Sequence, residues 1–353
     1  MRRSLIVAVV LLTACAAREP LDLTMGGAGT AGGPVNDGPR NSQAAGGASG
    51  GITAGGASPP EGLVTLASGQ PSPYTLAIDG DSVYWANDGA QNDGDVSVAK
   101  VPLGGGAVTA LVSGVRSPNG IAVDRSRVYF CGLGADSVQL LSVPLAGGPL
   151  SVVATGFTND PITIGPLGVY GSGPGRILAA PLTGGAARPV VPDGTLDPSS
   201  FETYGIAVDA HSVYWTMFGD PMSVMQAPLG GGPAKTLTSA AGPGEGLAVD
   251  ADAIYFATGR GIMKVPLTGG TTTVLSSWPA AGIAIDTAYV YFTNFDAAEG
   301  AVRKVAKSGG ATITLATGQL LPWGIAVDAT SVYWTDAGGD SAATGTIMKL
   351  TPK

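Results

Sequence analysis

An all-β fold, a seven-bladed β-propeller built from four-stranded antiparallel blades, is predicted by three observations on this 353-residue sequence. A phrase of the type Gly-Ile-Ala-Val-Asp, followed by a turn and Val-Tyr-Trp, recurs seven times. Its spacing is about forty residues, the period of repeat architectures with four short strands per unit. The folded region also opens with a segment that reads like the closing strand of an internal unit, so the ring can close on itself.

The seven copies are LAIDGDSVYW (76–85), IAVDRSRVYF (121–130), ITIGPLGVYG (162–171), IAVDAHSVYW (206–215), LAVDADAIYF (247–256), IAIDTAYVYF (283–292) and IAVDATSVYW (325–334). The small, continuously apolar half of each phrase suits an innermost strand near the axis. The β-branched and aromatic half suits a second strand where the blade widens. A polar loop and a third strand follow, as at 96–101, 262–265 and 302–305. Next comes Pro-Leu-x-Gly-Gly at 102–106, 144–148, 181–185, 228–232 and 266–270, replaced by AKSGG in the sixth unit. Gly pairs supply the positive φ that tight hairpins need. A fourth β-rich run closes each unit, for example 271–275 or 311–315. The last unit stops after its third strand at TIMKLTPK, whereas GLVTLASGQ near the start matches ATITLATGQ of the sixth unit. The N-terminal strand is therefore expected to complete the last blade.

Residues 1–14 read as a lipoprotein signal peptide: Arg2 and Arg3, an apolar run, then Leu-Thr-Ala before Cys15. Cys15 is expected to be acylated, by palmitate among other chains, after cleavage. Loss of Arg2 and Arg3 would take the formal net charge from −8 to −10. Residues 15–60 then form a Gly/Ala-rich tether too poor in large apolar groups to fold. Such a coil spans about 35–40 Å. The propeller, 61–353, is expected to be a monomer held at a bacterial cell envelope by its lipid anchor alone, without spanning the membrane. Ala16 after Cys15 points to outer-membrane sorting.

Composition excludes several classes. With 12% charged residues, 56 Gly and 26 Pro the chain is not helical, and its acidic balance gives no footprint for nucleic acid. There is no zinc-binding His pair, no Gly-Lys-Ser/Thr phosphate loop and no G-x-S-x-G elbow. The single histidine, His211, lies in a turn, and Cys131, the other cysteine, follows Tyr129-Phe130 as a small hydrophobe.

The stretch Val-Tyr-Trp-Thr-Asp at 332–336 resembles the YWTD repeat of receptor propellers, and P..GIAVD resembles NHL-repeat propellers. The resemblance covers residues 62–353 and implies binding of proteins, peptides or nucleic acid. Some seven-bladed relatives are enzymes. Virginiamycin B lyases rely on histidines, which this chain lacks apart from His211. Gluconolactonase-like propellers hold a divalent metal, so a metal-dependent hydrolase or lyase is the alternative expectation.

Asp79, Asp124, Asp209, Asp250, Asp286 and Asp328 end inner strands and are expected to fix turns by accepting backbone N–H bonds. The tyrosine repeated in every copy is expected to pack the blades. Function should lie where the repeat varies. The residue before the inner strand is, in blade order, Tyr74, Asn119, Asp160, Tyr204, Glu245, Ala281 and Trp323. These seven should ring one mouth of the central channel, and all but Ala281 are candidate ligand-binding residues. Aromatic faces beside acceptors suit a carbohydrate, a peptide or protein side chain, or a similar polar ligand. No cofactor is required. Oxygen-rich loops at 87–95, 217–222, 294–300 and 336–345, with Asp136, are candidates for Ca²⁺.

Overall fold

The computed structural model describes residues 60–88, 97–134, 137–192, 196, 203–217, 222–240, 244–295, 300–338 and 344–353. Cys15, the expected signal peptide and nearly all of the tether lie outside the described residues. So do most of the loop carboxylates considered for Ca²⁺, including Asp93, Asp95, Asp136, Asp220, Asp296 and Asp340.

The chain forms seven four-stranded antiparallel sheets, each a blade. Blade one runs outward through Pro73–Ile78, Ser82–Asn87, Ser97–Pro102 and Thr109–Ser113. In the last blade the inner three strands are Pro322–Val327, Val332–Asp336 and Gly345–Leu350, and the outermost is Leu63–Gln70 from the start of the chain. Leu63 pairs with Leu350 and Gln70 with Gly345, so the ring closes as the sequence predicts. Blade three is the weakest, with an outer strand of only Arg188–Pro189.

The turn chemistry is local. In blade one, Asp79 Oδ1 accepts from the N–H groups of Asp81 and Ser82, both at 2.8 Å. Its other oxygen accepts the Tyr84 hydroxyl at 2.8 Å, across the hairpin. Asp209–Tyr214, Asp286–Tyr291 and Asp328–Tyr333 repeat that bond at 2.8 Å, and Asp124–Tyr129 at 3.0 Å. The repeated Asp therefore ties the turn to the tyrosine five residues later, which places both in structural roles. In blade three Gly165 stands at the Asp position. Gly171 stands at the Trp/Phe position, and Phe157 fills the space its side chain would take.

Second strands are the best-covered part of each blade; Trp85, Trp215, Trp334, Phe130, Phe256 and Phe292 are fully buried between sheets. Inner strands are mostly half-buried, because part of their surface lines the channel. Each inner strand touches the inner strands of both neighbouring blades, all the way round. At that contact the backbone of one blade presses on the next. A Cβ on Gly324 of blade seven would come within 2.7 Å of the Tyr74 carbonyl oxygen in blade one. One on Gly282 of blade six would overlap the Trp323 carbonyl of blade seven. Second-strand hydroxyls fasten the same carbonyls: Thr335 Oγ1 donates to Tyr74 O at 2.8 Å and Thr293 Oγ1 to Trp323 O at 2.7 Å. Thr216 Oγ1 does so to Glu245 O at 3.1 Å.

The opposite face is stapled by lysines. Lys100 and Lys349 donate to the Leu145 and Leu103 carbonyls of the following blades, at 2.6 and 2.8 Å. Lys307 and Lys353 reach back to Asp250 and Asp286 of the preceding blades, at 2.7 and 2.9 Å.

Gly282→Ala is expected to destabilise the protein by about 2 kcal/mol or more through the carbonyl overlap. Gly80→Ala, whose Cβ meets nothing within 4 Å, is expected to stay within about 0.5 kcal/mol. Denaturant unfolding of both variants checks this, and equal midpoints would remove the close approach as a constraint.

Candidate functional site

Inner strands start at one face of the ring, and second strands return to it. Tyr74, Asn119, Tyr204, Glu245 and Trp323 lie near the first residue of their inner strands, and Asp160 and Ala281 just ahead of theirs. Adjacent blades join at these positions, since the carbonyls of Tyr74, Asp160, Glu245, Ala281 and Trp323 each abut a glycine one blade back. The mouth backbone is thus fixed, while the side chains are free to differ.

Three side chains form an aromatic step. The Tyr74 and Trp323 rings stack with centroids 4.6 Å apart at 26°, and Phe295 packs on Trp323 at 5.2 Å. Sequence reasoning missed Phe295, which sits in a loop of no repeating pattern. Both Tyr74 and Trp323 remain half-buried, so part of each ring meets solvent. Ala281, the small member of the ring, is buried.

The backbone beneath this step is strained. Ser72, Ser117 and Leu321 have φ of 53°, 45° and 55°, the only positive values at non-glycine residues among those described. Each precedes a proline, which disfavours helical conformations for its neighbour and makes a left-handed one unusual. The prolines in turn precede Tyr74, Asn119 and Trp323. The kinks in blades one and seven are held by N–H groups just past the second strands, from Asp88 to Ser72 O at 3.1 Å and from Ala337 to Leu321 O at 3.2 Å. Blades seven and one, which are neighbours around the ring, therefore present their mouth residues in the same way, whereas Asn119 of blade two is itself paired with Cys131.

Hydrogen bonding divides the candidates. The Asn119 amide is occupied on both sides, donating to Asn159 O at 2.9 Å and accepting from Gly120 N at 2.7 Å. Asp160 Oδ2 accepts from Ser172 and Thr158 hydroxyls at 2.6 and 2.8 Å, with Thr203 at 3.4 Å. No hydrogen bond from a described residue reaches the Glu245 carboxylate.

Electrostatics separates the two faces. Burial raises Glu245 to about 7 and Asp88 to about 6, with no described residue offsetting it. Burial also raises Asp160, its three hydroxyl partners offsetting only part of the effect. Asp336, the 7%-exposed last residue of Val332–Asp336, is raised to about 7 by burial, against opposing bonds from Thr346 and Trp334. All four lie on the mouth face. On the opposite face burial is outweighed. Turn N–H bonds hold Asp124, Asp209 and Asp328 below the usual carboxylate range, and Lys307 with turn N–H groups holds Asp250 at about 2.

The remaining candidates carry no chemistry here. His211 is exposed in its turn. Cys131 is fully buried, and burial drives its thiol far above the ordinary range. Among the described residues no three His, Cys, Asp or Glu side chains converge on a point where a metal would sit.

No protein-family model matches the chain, and no curated protein matches it. Solved structures do. A puromycin-hydrolysing peptidase of Mycobacterium tuberculosis is similar over 82% of this chain at 14% identity, with a TM-score of 0.60. This chain spans about half of that protein, 52%. The computationally designed Ika8 protein is similar over 81% of this chain and 98% of its own, at 12% identity and a TM-score of 0.54. A chain of a nidogen/laminin complex is similar over 72% of this chain and 84% of its own, at 17% identity and a TM-score of 0.43. At such identities the likeness shows the β-propeller fold alone.

The shifted carboxylates predict a stability optimum in mild acid. A group raised in the folded state keeps its proton between its unfolded pKa, about 4, and its folded value, so stability falls as pH rises through that window. A depressed group such as Asp250 works the other way, and its contribution is lost as pH falls below about 4. Asp336→Asn, the residue blade one carries at the equivalent Asn87, should stabilise the fold by about 1–3 kcal/mol at pH 8. It should change little at pH 4. Melting curves at the two pH values decide; equal effects would show that Asp336 does not change ionisation.

Proposed function

We propose that this protein is a lipid-anchored, extracytoplasmic binding propeller whose channel mouth recognises a ligand or a protein segment. The reading rests on the stacked Tyr74–Trp323 pair, extended by Phe295 and left partly open to solvent at a carboxylate-bearing channel mouth. Aromatic faces beside a few polar groups are a recurring basis of recognition. The strained kinks beneath Tyr74 and Trp323 add support, since strain of this kind persists where a function holds it.

The proposed anchor is compatible with this orientation. Leu63 pairs with Leu350 at the end of the last blade near the Asp328 turn, so the chain leaves toward the face opposite the mouth. A lipid on Cys15 at a bacterial outer membrane would then leave the mouth unobstructed.

Two experiments test the parts separately. Replacing Tyr204, Glu245 and Trp323 together with Ala should leave the melting temperature within a few degrees of the parent and abolish capture of the partner found by pull-down. Unchanged capture would move the site off the mouth. For the anchor, Cys15→Ala should stop incorporation of labelled palmitate and shift the protein from the membrane to the soluble fraction. Continued labelling and sedimentation with membranes would rule out Cys15.

A further inference from the structure

Among the described residues, most polar groups of the channel mouth are already bonded within the protein. The Asn119 amide bonds Asn159 O and Gly120 N. The hydroxyls of Ser172 and Thr203 bond each other at 2.8 Å and the Asp160 carboxylate besides. Thr216, Thr293 and Thr335 donate to mouth carbonyls. A neutral sugar needs donors and acceptors in matched pairs, and most of those present are occupied within the protein. An anion would face Asp160 and Glu245, and no Lys or Arg stands among the seven ring residues.

What remains among the described residues is a carboxylate without a hydrogen-bond donor and a set of aromatic faces. Around the ring Glu245 is followed by Ala281 and then Trp323. Ala281 has no bulk to separate them, and its N–H donates to Thr293 O at 3.0 Å. Two residues past Thr293, Phe295 brings its ring against Trp323. The carboxylate and the aromatic step thus stand two blades apart around the mouth, with Ala281 as the ring residue between them. Aromatic faces attract cations, more strongly when the site is desolvated, and a partly buried carboxylate gains from a positive partner.

We infer that the channel mouth takes an organic cation, an ammonium or guanidinium group carried on an apolar body. Its charge sits beside Glu245, and its body lies on the Tyr74–Trp323–Phe295 step. This deepens the binding reading and rests on it. The same chemistry is presented by a free quaternary ammonium compound and by a basic side chain of a peptide.

Isothermal titration calorimetry with four probes tests the inference: choline, acetyl-arginine amide, 3,3-dimethylbutan-1-ol as the neutral counterpart of choline, and methyl glucoside. At least one cation should bind, choline at least tenfold more tightly than its neutral counterpart if it is the one. Binding of choline points to a free quaternary ammonium ligand, and binding of acetyl-arginine amide alone to a peptide. Glu245→Gln, which keeps the side-chain shape, should weaken the cation at least tenfold. Trp323→Ala should do the same, and Trp323→Phe, which keeps an aromatic face, should retain most of the binding. Absence of binding by both cations, or cation binding untouched by Glu245→Gln, overturns the inference. Methyl glucoside binding lost in Trp323→Ala but kept in Glu245→Gln would discard the cation and leave the mouth as the site. Binding of any probe that persists in Trp323→Ala would discard the mouth as well.

Discussion

The contact on which this propeller depends is the approach of one blade's mouth carbonyl to the glycine of the blade before it. Seven inner strands converge on one axis, and their backbones come closer there than side chains permit. Where Gly282 meets Trp323 O and Gly324 meets Tyr74 O, the glycine is required by the neighbouring blade, not by its own φ. Second-strand threonines then satisfy the carbonyls of Tyr74, Glu245 and Trp323 from the side. The residue that supplies the carbonyl has its main chain fixed by both neighbours, and its side chain projects where no repeat constrains it.

That arrangement produces two unlike faces. On one, the repeated Asp accepts turn N–H groups and, in five blades, a tyrosine hydroxyl, and lysines staple successive blades. There burial is outweighed at Asp124, Asp209 and Asp328, whose carboxyls the turn bonds hold below the usual range. On the other, no described residue compensates the desolvation of Asp88 and Glu245, and one oxygen of Asp336 has no partner among the described residues. Uncompensated charge costs stability, so its concentration on the mouth face marks the face where interactions are left unmade within the molecule.

The sequence disclosed whatever is local and periodic. The forty-residue period, the Gly-pair turns and the match of 62–70 with 311–319 were enough for blade number and ring closure, since each can be read along one strand or hairpin. The Asp turn was legible for the same reason. Contacts between units were not. The role of Gly282 depends on an atom 41 positions along the chain, and the repeat by itself places the glycine only in a small inner strand near the axis. The mouth ring could be named because its position follows from the repeat, but its hydrogen bonding could not. Asn119 has the chemistry of a ligand-binding amide, yet both sides of it are occupied within the protein. Phe295 lies in a stretch without pattern, and only the fold brings it onto Trp323.

The seam of the ring and the aromatic step share one sector. Blade seven is completed by Leu63–Gln70, and its neighbour across the seam is blade one, so Tyr74 and Trp323 stack across the place where the chain's two ends meet. Gln70 reinforces that seam: its Oε1 accepts from Trp85 Nε1 at 3.1 Å and from Asn87 Nδ2 at 3.3 Å, joining the outer strand of blade seven to the second strand of blade one. A closing strand that carries only outer-edge pairing would leave this sector the easiest to open. Buried hydrogen bonds from Gln70, and the Thr335 bond to the Tyr74 carbonyl, instead tie the seam at both its outer edge and its axis. The stacked rings above it are therefore held by a backbone that cannot part, which is the condition for a preorganised surface on which binding does not have to order the protein first.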